Sequence, residues 1–143
     1  MTTEEICNII KDISTKFVSA VQAQNIAGIT QIYTDKPKFL PRGGDIPQFG
    51  QVPDNRWSIE YISQYWSDIF QIVGNSFKYV QYIKDVEVLG DAAYEIGVYI
   101  FAAETGVGED LEEGTYFILW KKEDDLWKIA VHILNTTSNP KWR

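Results

Sequence analysis

The second half of the chain is its most restrictive part. From Phe77 onward apolar residues recur with period two. The pattern runs through Gly90-Asp91-Ala92-Ala93-Tyr94-Glu95-Ile96-Gly97-Val98-Tyr99, then Glu113-Gly114-Thr115-Tyr116-Phe117-Ile118-Leu119-Trp120, then Trp127-Lys128-Ile129-Ala130-Val131-His132-Ile133-Leu134-Asn135. Such alternation marks strands, and it predicts them over 77–89, 92–104, 113–122 and 126–137. Gly90-Asp91 is a tight-turn pair and Glu123-Asp124-Asp125 joins the last two strands, while 105–112, with two glycines and several acids, reads as a looser hairpin loop. Hairpin-linked strands build an antiparallel sheet, which must bury one face against something.

The cover lies upstream. Thr2 and Glu5 have capping-box spacing, and Ile6, Ile9, Ile10, Ile13, Phe17 and Val21 follow at three- and four-residue steps. This predicts an amphipathic helix of roughly five turns. Asn25 can cap a shorter helix with Ile29, Ile32 and Tyr33 on one face, stopped by Pro37. A short edge strand is expected at 38–40. Residues 37–57 hold four of the five prolines and three glycines, so an irregular loop follows, a possible lid over 41–57. Ser58 caps a third helix bearing Ile62, Trp66, Ile69, Phe70 and Val73, and Gly74 ends it. No internal repeat or linker divides the chain, which predicts a single domain over 1–143.

Charge and composition exclude several function classes. A net charge of −7 argues against nucleic acid, which requires clustered Lys and Arg, and against anionic membrane surfaces. The polar, acidic start is unlike a signal peptide, and no apolar run approaches the ~20 residues of a membrane span. The single Cys7 cannot form an internal disulfide, so a cytoplasmic location is expected. One His and one Cys leave no metal-ligand spacing, and no phosphate loop, dinucleotide glycine pattern or nucleophile elbow is present. No cofactor is expected. Aromatic residues make up 14% of the chain, enough to line a cavity or a large interface as well as fill a core.

His132 is the only histidine, and it carries the only side chain whose unperturbed pKa lies near neutrality. Strict alternation places it with Lys128, Ala130, Leu134 and Thr136, opposite Trp127, Ile129, Val131 and Ile133. It is a candidate general base, weighed against a structural or interface histidine. Glu95 and Tyr99 share a face with Gly97 between them, where the missing side chain leaves room for a ligand. If buried, Glu95 is a candidate proton shuttle; the plainer reading puts it on the solvent side. Tyr33, Trp66, Tyr99 and Tyr116 are candidate pocket-lining residues, and Arg42, beside Gly43-Gly44, is a candidate carboxylate binder that turn chemistry explains equally well.

Element order and motifs together resemble the nuclear transport factor 2-like (cystatin-like) superfamily, an α+β cone in which a curved antiparallel sheet wraps around a long N-terminal helix. Gly90-Asp91-x-Ala93-Tyr94-Glu95-x-Gly97-x-Tyr99, Gly114-x-Tyr116 with Trp120, and Trp127-Lys128-Ile129 closing on Asn135 resemble its SnoaL-like branch, as do Ile32-Tyr33-Thr34-Asp35 and Leu40-Pro41-Arg42-Gly43-Gly44. More narrowly, they resemble small bacterial proteins of the SgcJ/EcaC type. The resemblance implies a fold shared by isomerases, cyclases, dehydratases and association domains. A ketosteroid isomerase would need a tyrosine and an aspartate where this chain has Phe17 and Pro41, which disfavours that mechanism. Relatives in this group often carry an acid at the position of His132. Three readings follow: a homodimeric domain whose apolar pocket binds a small organic ligand; an isomerase, cyclase or dehydratase in which His132 and Glu95 move protons; and an association domain with no ligand.

Overall fold

A computed structural model describes residues 1–41, 57–105 and 108–137. Helix α1 (Thr3–Gln22) starts where the Thr2 side chain accepts a hydrogen bond from the Glu5 amide at 3.1 Å. Its stripe of Ile10, Ser14, Phe17 and Val21 is buried. Asn25 caps α2 (Ile26–Thr30), and Ser58 caps α3 (Ile59–Val73), which ends at Gly74 with φ 61°. Five strands follow or intervene: β1 (Tyr33–Leu40), β2 (Phe77–Leu89), β3 (Ala92–Thr105), β4 (Gly108–Glu123) and β5 (Leu126–Thr136). They form one curved sheet in the order β1-β5-β4-β3-β2, antiparallel except where β1 runs parallel to β5. Both long helices pack on its concave face. Among the described residues no helix is long and apolar enough to cross a membrane.

Three local expectations need correction. Thr105 and residues 108–112 are not in a loose loop: β3 and β4 stay paired out to Thr105 opposite Gly108, and residues 106–107 lie outside the described residues. Pro37 does not stop α2, which has already ended at Thr30; Tyr33 and Pro37 both lie in β1. An edge strand tolerates that proline, and the β1–β5 ladder slips between Tyr33 and Lys38. Third, strict alternation fails on β5. Leu119 pairs with Val131 but Trp120 pairs with Ile129, leaving Ala130 as a bulge. The concave face therefore receives Trp127, Ile129, His132 and Leu134 together.

Candidate functional site

The bulge carries His132 into the centre of the cone, where it has no exposed surface. Three rings surround the imidazole: Phe17 from α1 at 5.7 Å, Phe39 at 5.5 Å and Tyr33 at 6.0 Å, the last two from β1. The Tyr33 hydroxyl lies 2.8 Å from His132 Nδ1. Burial pushes the imidazole down to about 3, so it is neutral at pH 7, and burial pushes the Tyr33 phenol far up. The Trp66 indole N–H lies near enough to Tyr33 to ease its ionisation slightly but makes no full hydrogen bond. Either atom can supply the proton of the Tyr33–His132 hydrogen bond, according to the imidazole tautomer. The other ring nitrogen, Nε2, has no hydrogen-bond partner among the described residues.

Glu95 is also fully buried. Its carboxylate accepts from Ser14 Oγ at 2.9 Å, Tyr116 Oη at 2.5 Å and Trp120 Nε1 at 3.2 Å. Burial raises its pKa, and these three donors pull it part of the way back. Glu95 and His132 lie in one cross-strand row with Ile118 between them. Two strand spacings, about 10 Å, separate their backbones. The row brings them onto one wall without bringing them together.

The space at Gly97 is occupied. Tyr116, directly opposite, lies over Gly97, where an added Cβ would fall 2.6 Å from the tyrosine hydroxyl and 2.4 Å from the Tyr82 carbonyl oxygen. Tyr99 likewise lies over Gly114, and its hydroxyl donates to Glu112 at 2.8 Å. The two strands thus carry the same pattern, Glu95-x-Gly97-x-Tyr99 and Glu112-x-Gly114-x-Tyr116, in antiparallel register. Each tyrosine covers the other strand's glycine and binds the other strand's glutamate. This local two-fold clasp is a short internal repeat that the sequence analysis did not recognise.

Ser14, Glu112 and Trp120 were also missed. Ser14 interrupts an otherwise apolar helical stripe, a signal of a polar partner inside. Glu112 continues the alternation of Gly114, Tyr116, Ile118 and Trp120 one step back. Trp66 sits on α3 against Phe17, at 6.2 Å. Arg42 and nearly all of the proposed 41–57 lid lie outside the described residues. Phe17 is at the cone centre and buried Pro41 follows β1.

A small cavity lies between α3 and the sheet, lined by Tyr65, Trp66, Tyr79, Tyr99, Phe101 and Glu112 among others. It offers about 10 Å³, room for roughly one water molecule and far below the ~300 Å³ of a usual ligand site. Among the described residues no three His, Cys, Asp or Glu side chains converge as a metal site would require.

No protein-family model matches the chain, and no curated protein matches it. Solved structures do. A proposed calcium/calmodulin-dependent protein kinase II association domain from Xanthomonas campestris is 21% identical with a TM-score of 0.69, covering 91% of this chain and 86% of its own. An NTF-2-like protein from Shewanella oneidensis is 14% identical with a TM-score of 0.69, covering 90% and 98%. A type 2 hexachlorocyclohexane dehydrochlorinase is 13% identical with a TM-score of 0.73, covering 95% and 88%. The chain therefore has the nuclear transport factor 2-like, or cystatin-like, α+β fold.

Proposed function

We propose that this chain is an association domain of the SnoaL-like branch of that fold, working as a homodimer joined through the convex face of its sheet. The carrying observation is the composition of that face. Ile96, Val98, Phe117, Leu119, Val131 and Ile133 form a contiguous apolar surface, with Ile96 opposite Phe117 and Phe117 opposite Ile133. Ile96 is 40% exposed and neighbouring Tyr82 53%. Both long helices lie on the other face, so this surface has no cover among the described residues. Apolar patches of this kind mark association sites, and two-fold homodimers are the commonest solution. The small size of the cavity between α3 and the sheet supports the same reading, as does the association domain among the proteins of like fold. A reducing cytoplasm suits the lone Cys7. Sedimentation equilibrium at micromolar concentration should give twice the chain mass. Phe117→Arg should give a folded monomer with an unchanged circular dichroism spectrum. A monomeric parent protein, or a dimeric variant, would remove the proposal.

A second reading has one observation behind it. Among the described residues His132 Nε2 and Trp66 Nε1 are buried without hydrogen-bond partners, both beside Phe17. Such nitrogens call for a water or a polar ligand atom. A small organic molecule reaching them would restore the pocket reading. Native mass spectrometry, gentle and then denaturing, checks it: an organic mass lost on denaturation would be the bound molecule. The geometry gives less support to isomerase, cyclase or dehydratase chemistry, because Glu95 already accepts from three donors and Ile118 stands between it and His132.

A further inference from the structure

Strand β2 is one free edge of the sheet, and such an edge offers a row of backbone donors and acceptors to any second strand. Helix α1 follows this edge with side chains. Near the helix C-terminus the Gln22 carboxamide donates from Nε2 to the Phe77 carbonyl at 3.0 Å, and its Oε1 accepts from the Tyr79 amide at 2.9 Å. About two turns back, Ser14 accepts from the Gln81 side chain at 3.4 Å. Near the helix N-terminus the Cys7 thiol lies 3.9 Å from the Val86 carbonyl oxygen. Between these contacts the β2–β3 ladder slips from Ile83 to Asp85, leaving Lys84 as a bulge that spoils the edge for regular pairing.

The pair of bonds made by Gln22 has the pattern of a strand. A residue on a parallel neighbouring strand donates to one carbonyl and accepts from an amide two residues further on, flanking the residue it faces. The Gln22 carboxamide does both, to Phe77 and Tyr79, the two residues flanking Lys78. We propose that Gln22 stands in for a residue of a sixth strand opposite Lys78 and closes the start of the β2 edge to strand addition. Gln24, whose side chain donates to the Gly74 carbonyl, ties the same stretch of chain to the α3–β2 connection. Lys78 and Lys84, both exposed on the edge strand, add charges that a second strand would have to accommodate. The opposite edge is blunted differently: Pro37 in β1 has no N–H to offer, and the β1–β5 register slips around it. Contact between copies is thereby left to the faces of the sheet, and growth by edge-to-edge pairing is blocked.

Amide hydrogen exchange on the whole chain, read by NMR, tests this assignment. Gln22 is exposed, so its replacement leaves the core intact. The Tyr79 amide points away from β3 and should nevertheless be protected in the parent. Gln22→Ala should speed its exchange by about tenfold or more, while the Val80 amide, which points to β3, keeps its parental rate. Gln22→Glu keeps an acceptor for Tyr79 but loses the donor to Phe77, and its rate should fall between the two. Sedimentation velocity over a range of concentrations then reads the edge itself: Gln22→Ala should form larger species than the parent as concentration rises. Equal Tyr79 exchange in parent and Gln22→Ala would overturn the strand-substitute role. Faster Tyr79 exchange with parental sedimentation at every concentration would show that Gln22 does not close the edge. Both comparisons take the parent as reference, so neither depends on the convex-face dimer.

Discussion

His132 and Glu95 tie stability to pH in opposite directions. Burial lowers His132 from an ordinary 6.5 to about 3, so between these values the unfolded chain binds more protons than the folded one. Stability from this residue is complete above pH 6.5 and is lost as pH falls toward 3. Glu95 is raised from its ordinary 4.5, so the folded chain holds the extra proton. Its contribution is complete below 4.5 and is lost as pH rises through the raised value. Urea unfolding midpoints across pH 3–8 should separate the two. His132→Phe should flatten the acid-side decline, and Glu95→Gln should flatten the loss above pH 4.5. Parallel pH profiles in parent and variants would mean that neither group titrates as its surroundings imply.

At the level of strands and turns, the E-x-G-x-Y clasp makes Gly97 a steric requirement. Gly97→Ala drives a Cβ against the Tyr82 carbonyl and the Tyr116 ring, and should cost at least about 1–3 kcal/mol in unfolding free energy. The β4–β5 turn carries the opposite opportunity. Asp124 and Asp125 both have positive φ, 54° and 64°, the pattern of a type I′ turn. Asp125→Gly should therefore stabilise the chain by about 1 kcal/mol, read as a raised unfolding midpoint. These features also mark where sequence reading stops. The capping residues Thr2, Asn25 and Ser58 and the strand periods were legible because they are local. The Ala130 bulge was not, because a one-residue slip leaves no trace in composition yet turns His132 and Leu134 to the face of Ile129. Glu95 was recognised as a candidate, but its partners arrive from α1 and β4, and only tertiary pairing supplies them.

As a whole, the molecule is a cone whose concave side holds the two long helices and whose convex side is uncovered among the described residues. The fold follows from the order of helices and strands, which the sequence displays. What the cone does depends on which face meets something, and periodicity alone does not show that. The aromatic content that suggested a lined pocket is largely consumed in ring-to-ring packing around Phe17, Tyr33, Trp66 and Tyr79. The convex face is left as the surface with the clearest unmet burial. Cross-saturation between unlabelled copies and deuterated, methyl-labelled copies tests this most directly. The account predicts attenuated methyl signals at Ile96, Leu119, Val131 and Ile133, and none at Ile10 or Ile62. Attenuation confined to the helices, or absent altogether, would contradict it.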